Sequence, residues 1–192
     1  MDLSAEFGSI DVYLFDQLLR GRITPDMRIL DAGCGGGRNA HYLSRAGADL
    51  VGVDLVLPPG GPGIRRVCGD VRELPLRAEA FDAVICNAVL HFLPDLESLT
   101  SALTELWRVL RPGGVIFARL TSSIGIESRI TPLKSGRYLL PDGSERLLVD
   151  EAFLLASGER LGGELLDPIK TTNVQNLRAM TTWVLAKQTL RE

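Results

Sequence analysis

Four glycines stand between an acid and a base in the segment Arg28–Leu43, which reads RILDAGCGGGRNAHYL. The apolar pair Ile29-Leu30 runs into Asp31; Gly33, Gly35, Gly36 and Gly37 follow, and Arg38, Asn39, Ala40, Tyr42 and Leu43 then continue with helical spacing. A strand, a tight glycine turn and a helix start bring bare backbone up to a nucleotide-like ligand. Glycine is needed there because a Cβ would obstruct both a positive-φ turn and the ligand's approach. The first N–H groups of the helix lack internal partners and point at whatever lies in front of them.

Two ligand classes use such a turn. A dinucleotide site requires G-x-G-x-x-G, whose last glycine lets helix and sheet pack closely. In this chain that last place is Arg38. Asp31, just ahead of the first glycine, would repel a pyrophosphate but would pair with an ammonium. S-adenosylmethionine (SAM) carries an amino-acid ammonium and carboxylate and no pyrophosphate. Asp31 suits its ammonium, and Arg38 with the helix N-terminus suits its carboxylate.

The segment LDAGCGGGRN resembles the first motif of class I SAM-dependent methyltransferases, and further blocks extend the resemblance: VGVDL (51–55), GDVRELPL (69–76), FDAVICNAVLHFL (81–93) and LRPGGVIFARL (110–120). Each is weak alone; in series they are specific. The turn followed by Arg38-Asn39 also looks like the same segment of tellurite-resistance-type methyltransferases. The family implies a Rossmann-like α/β fold, with a seven-stranded, mostly parallel sheet whose last strand is antiparallel. It also implies that Gly33, Cys34 and Gly35 form the cofactor turn, and that Asp54 and Leu55 follow at the second strand's end. Asp54 lies 21 residues beyond Gly33, where an acid accepts ribose hydroxyls. Asp70 and Val71 would hold adenine; a carboxylate beside a backbone N–H matches that base's donor–acceptor edge. Asn87 and Ala88 would line the methionine arm. Tyr13, on an N-terminal helix, either reaches the methionine end or packs in the core.

The elements needed to position these residues are readable in order. Ser9 to Arg20 reads as a helix with Ser9 as N-cap and Ile10, Tyr13, Leu14 and Leu18 inward. Strands are expected at 27–32, 49–54, 64–68, 81–87 and 115–120, with a helix at 38–46. An amphipathic helix opened by Pro94-Asp95 carries Leu96, Leu99, Leu103, Leu106, Trp107 and Leu110. Leu55–Gly63, LVLPPGGPG, replaces the family's usual helix between strands two and three, because prolines and glycines at that density exclude one. Beyond the fifth strand, 137–149 reads as a hairpin around Pro141-Asp142-Gly143, 150–157 as a short helix, and 165–172 with 178–187 as a terminal antiparallel pair. The chain is expected to be one domain, with a cap at 1–26 and an acceptor lid at 121–150.

Composition restricts the partners. The chain has 192 residues, 45% apolar and 23% charged, enough for one globular core. With a net charge of −3 and no basic run beyond Arg65-Arg66, nothing favours a nucleic-acid partner. No segment reads as a membrane span or signal peptide. The odd cysteine count, without metal-ligand spacing, fits small apolar packing in a reducing cytosol and argues against a metal. The family reaction places a nucleophile in line behind an activated methyl. His91, after the fourth strand, is the candidate base if the acceptor must lose a proton; the alternative is a histidine that only packs there. The reading is SAM-dependent methyl transfer to a small-molecule acceptor, with a homodimer admitted. A nicotinamide-dependent oxidoreductase and a non-catalytic SAM-binding module are the alternatives.

Overall fold

The computed structural model describes residues 2–59 and 63–189. Two short helices open the chain, α1 (Leu3–Phe7) and α2 (Val12–Leu19), in place of the single helix expected from Ser9. Gly8, at φ +60°, ends the first, and the second is capped by Asp11 and not Ser9, because the Asp11 carboxylate accepts from the Tyr13 N–H at 2.9 Å.

β1 (Arg28–Ala32) leads through the glycine turn into a single 3₁₀ turn at Arg38–Ala40 and then α3 (His41–Arg45). β2 (Asp49–Asp54) and β3 (Ile64–Cys68) follow. The described part of their connection, residues 55–59 and 63, contains no helix; Gly60, Gly61 and Pro62 lie outside the described residues. β4 (Phe81–Asn87) precedes α4 (Leu96–Val109), whose N-cap is Asp95. Leu99, Ala102, Leu103, Leu106 and Trp107 of α4 are buried, while Leu96 is exposed. Leu110 belongs not to this helix but to β5 (Leu110–Ser122). The Lys187 ammonium donates to the Trp107 and Leu110 carbonyls at the end of α4, at 3.0 and 2.7 Å, satisfying groups a helix terminus leaves open.

After β5 the chain forms β6 (Thr131–Pro132), β7 (Arg137–Leu139) and β8 (Glu145–Leu147), a separate three-stranded sheet where a two-stranded hairpin was expected. α5 (Glu151–Leu161) runs a turn beyond Ser157, to Gly162 at φ +67°. The stretch expected as one strand at 165–172 is two, β9 (Gly163–Leu165) and β10 (Lys170–Val174), interrupted at Pro168, which has no N–H to give a ladder. β11 (Arg178–Lys187) closes the fold.

The large sheet runs β10-β11-β5-β4-β1-β2-β3, with β9 added to β11. β11 is antiparallel to β5, whereas β1 through β5 pair in parallel. Alternation along β1 sends Ile29 to one core, with Leu14 of α2 and Leu43 of α3, and Leu30 to the other, with Leu103 and Leu106 of α4. The small sheet is not detached, because Leu147 and Val149 belong to the α4-side core and Val149 O accepts from the Ser123 N–H at 2.9 Å.

Candidate active site

Strand order reverses between β1 and β4, and in open α/β sheets the crevice beyond the strand ends at that point is where ligands lie. The glycine turn follows β1 at this place. Gly33 has φ +77°, and a Cβ there would come within 2.1 Å of Val89 Cγ2. Its N–H, like that of Cys34, donates to the Val53 carbonyl, at 2.7 and 3.1 Å. The turn is thus fastened to β2 from below. Cys34 is part of that fastening. It is buried, its sulfur packs under Gly52, where a Cβ would meet it at 2.8 Å, and burial pushes its thiol pKa up.

A cavity of about 360 Å³ opens above the turn, lined by Gly33, Asp54, Leu55, Asp70, Val71 and Ala88, with Arg72, Phe92 and Leu93 among its other walls. It collects Gly33, the expected ribose and adenine residues and Ala88 in one place, whereas Asn87 and Arg38 line a neighbouring cavity. Asp54 Oδ2 accepts from the Gly35 N–H at 2.8 Å, so this acid also orders the turn. Arg66 of β3 holds the turn from the other side, donating to the Gly35 and Pro58 carbonyls. Asp70 is engaged by Arg72, whose Nη2 and Nε reach its carboxylate at 2.6 and 3.0 Å and hold its pKa below the usual range.

Behind the turn two buried groups have no partner. Asp31 is 2% exposed and its Oδ2 lacks a hydrogen bond; Asn87, at the end of β4, lacks one on both Oδ1 and Nδ2. Unmet buried polar atoms cost free energy, so each asks for a partner, and beside this turn a bound ligand could supply it. Burial, with Asp54 nearby, raises the Asp31 pKa to about 7, against the lowering pull of Arg38 and Arg66. Ala88 adopts φ +61°, a conformation uncommon outside glycine, and its N–H donates to Arg119 O at 2.8 Å. That strain sits where two cavities meet.

The second cavity, about 260 Å³, shares Ala88 and Phe92 with the first and is also lined by Arg38, Asn87, His91, Arg119, Arg146 and Arg178. His91 is 5% exposed and its Nδ1 accepts from the Thr121 N–H at 3.3 Å. Burial first, then Arg146 and Arg178, lower its pKa to about 4. With that lone pair engaged, the neutral ring carries its proton on Nε2 and is a donor. That arrangement favours the other of the two sequence readings, a histidine that packs and hydrogen-bonds at the cavity mouth.

Tyr13 lines neither cavity. Its hydroxyl lies 2.5 Å from Thr172 Oγ1, and its ring stacks under the Arg119 guanidinium at 4.8 Å. Arg119 in turn pairs with Asp11 at 3.0 Å, which pins α2 to β5 beside Asn87. Sequence reasoning overlooked Arg119, although an arginine inside an otherwise apolar strand was a visible signal. Among the described residues no group of three His, Cys, Asp or Glu side chains could hold a metal ion, and no helix is long and apolar enough to cross a membrane.

Comparison with known proteins agrees with this geometry. Residues 30–118 match the family described as a methyltransferase domain. The chain is 34% identical over 139 residues to a malonyl-acyl-carrier protein O-methyltransferase of Herminiimonas arsenicoxydans, covering 67% of this chain and 52% of that protein. It is 35% identical over 111 residues to the mitochondrial ubiquinone biosynthesis O-methyltransferase of Rattus norvegicus, covering 50% and 31%. The chain therefore spans about half the length of these relatives or less. The structure of 1,6-didemethyltoxoflavin-N1-methyltransferase from Burkholderia thailandensis, with 1,6-didemethyltoxoflavin and S-adenosylhomocysteine bound, superposes with a TM-score of 0.72 at 21% identity, over 98% of this chain and 82% of that one. Residues 30–118 thus carry a methyltransferase domain, and the glycine turn and strand order around it are those expected of a class I SAM-dependent fold.

Proposed function

We propose that the chain transfers a methyl group from SAM to a small-molecule acceptor. The observation that carries this is the buried Asp31 carboxylate, whose Oδ2 has no hydrogen bond, behind a turn that lacks the third dinucleotide glycine. A pyrophosphate would meet an anion there; an ammonium would complete it. When bound, SAM supplies a methyl group already activated on a sulfonium.

The chain's own residues then have three tasks. Asp31 and Arg38 hold the amino-acid end, Asp54 takes the ribose while ordering Gly35, and Asp70 with Val71 takes the adenine edge. Asn87 and Ala88 fix the methionine arm at the meeting point of the two cavities. Arg119, Phe92 and the small sheet close the acceptor side and exclude water, so that the nucleophile meets the methyl in line. The relatives, which by name methylate an acyl-carrier-protein-bound malonyl group and a ubiquinone precursor, support a small organic acceptor.

Calorimetric titration with S-adenosylhomocysteine (SAH) and with NADH tests the reading. Wild-type protein is expected to bind SAH and not NADH. Asp31→Ala is expected to lose about 1.5–3 kcal/mol of SAH binding, the range for hydrogen bonds to charged groups. Unchanged affinity in Asp31→Ala, or NADH binding in place of SAH, would overturn it. Binding of SAH with no transfer to any acceptor would leave the non-catalytic module standing instead.

A further inference from the structure

The second cavity is strongly basic. Arg38, Arg119, Arg146 and Arg178 line it against one carboxylate, Asp142. Like charges gathered around one hollow repel one another, and an anion placed among them removes that cost. Part of this charge is already committed. Arg119 pairs with Asp11, although its buried Nε has no partner, and Arg38 is assigned above to the carboxylate of SAM. Arg146 and Arg178, on β8 and at the start of β11, remain. Arg146 gives one N–H to Glu145 O at 2.7 Å and lies over the Phe92 ring at 4.8 Å, and both arginines act on His91 across the cavity. Asp142 accepts from the Ser144 N–H and hydroxyl, at 2.9 and 2.5 Å, and its single charge offsets part of that of Arg178 and Arg146.

Among the described residues this wall holds no group poised to act as a base. The His91 lone pair is taken by the Thr121 N–H, and hydrogen bonds from Ser144 hold the Asp142 carboxyl below its usual range. Among the described residues, no lysine, glutamate, tyrosine or cysteine lines this cavity. An amine or phenol acceptor must shed a proton during transfer, whereas a carboxylic acid arrives ionised at neutral pH. Planar guanidinium forks are well matched to a carboxylate. Ala88 and Phe92 border both cavities, so an anion among the arginines faces the methyl end directly.

Resting on the methyl-transfer reading above, we propose that the acceptor is a carboxylic acid bound as its anion beside Arg146 and Arg178, and that the product is its methyl ester. A carboxylate oxygen lone pair forms the new C–O bond, and the S–CH₃ bond breaks with its electron pair going to sulfur. The sulfonium becomes a neutral thioether, the carboxylate becomes a neutral ester, and no proton is moved. His91 Nε2–H stands as a donor on the same wall. The ester has lost the charge the arginines hold, which favours its release.

The test uses the SAH-saturated protein, titrated with benzoate and hexanoate and with benzamide and hexanamide as uncharged counterparts. The acids are expected to bind about tenfold or more tightly than the amides, the least that one charge-assisted bond supplies. The double variant Arg146→Gln, Arg178→Gln is expected to lose that preference while keeping wild-type SAH affinity. With methyl-labelled SAM, a panel of short aliphatic and aromatic acids is expected to take up label that alkali releases as methanol. Amides bound as well as acids, no acid bound at all, or transferred label that survives alkali would overturn the proposal. A double variant that loses SAH binding would overturn it too, by giving these arginines to the cofactor's own carboxylate. Failure of the wild-type protein to bind SAH would instead overturn the methyl-transfer reading.

Discussion

The two cavities that meet at Ala88 and Phe92 are built by different means. The first is made of backbone and short acids at or just beyond the ends of β1, β2 and β3, with Asp31 buried behind it and Asp54 and Asp70 in its wall. The second, proposed to take the acceptor, is made of long arginines from β5, β8 and β11, beside a small sheet packed late in the chain. A parallel sheet fixes its strand ends rigidly, so the first side recognises by shape and a few fixed charges. The second recognises by charge carried on side chains with many rotamers. A change of one methyl group should damage the first severely and the second hardly at all.

Gly33→Ala is the sharpest way to break that contrast. The new Cβ would stand 2.1 Å from Val89 Cγ2 on a residue at φ +77°. Steric overlap and left-handed strain together predict a loss of about 2–4 kcal/mol. Gly35, at φ +48° with nothing within 4 Å of a Cβ, carries the strain alone and should lose only about 1–2 kcal/mol. Urea unfolding of both variants measures the difference. Equal losses would mean that strain, and not close packing on Val89, makes the turn glycine.

This asymmetry also decided what could be read from the sequence. The turn, Asp54 and Asp70 lie in contiguous motifs at fixed distances from strand ends, and β2, β3, β4 and β11 fall where the pattern of apolar residues puts them. The acceptor wall draws Arg38, Arg119, Asp142, Arg146 and Arg178 from segments that only folding brings together. Arg66 reads in the sequence as half of a bare basic pair; the structure makes it a brace between the glycine turn and Pro58, in a connection whose described residues contain no helix. Ser9 and Asp11 are equally good helix caps by type; what selects Asp11 is its bond from the Tyr13 N–H together with its pairing to Arg119, which only the fold supplies.

The buried titratable group on each side gives a second test, with opposite signs. In the fold Asp31 keeps its proton up to about 7, whereas an unfolded carboxyl loses it near 3.8. The unliganded fold therefore loses stability as pH rises through that window. His91 refuses a proton until about 4, whereas an unfolded imidazole accepts one near 6.5. That contribution is present above 6.5 and is lost as pH falls through the window to about 4. Thermal unfolding from pH 4 to 8 should show Asp31→Asn gaining chiefly at the neutral end and His91→Asn losing its sensitivity chiefly at the acid end. An ammonium favours the charged Asp31, so SAH should bind up to about tenfold more weakly for each pH unit below 7, with proton release on binding. Asp31→Asn should flatten that slope. A slope unchanged by the substitution would remove Asp31 from contact with the ammonium.

The smallest expected effect concerns Arg72, the one arginine in the wall of the cofactor cavity. It grips the Asp70 carboxylate with Nε and Nη2, and both side chains are substantially exposed, at 44% and 26%. If Asp70 is to accept from adenine N6, this pair must open or share an oxygen. Exposed ion pairs contribute about 0.2–1 kcal/mol, so the competition is mild. Arg72→Ala should leave unfolding within about 0.5 kcal/mol of wild type and tighten SAH by a factor of about two to five, the share of the pair's energy that adenine no longer has to displace. Free methionine, which lacks adenine, should bind both proteins alike. Weaker SAH binding in the variant would reverse the assignment. It would make Arg72 a contact to the nucleoside, with Asp70 holding the guanidinium in place and not the base.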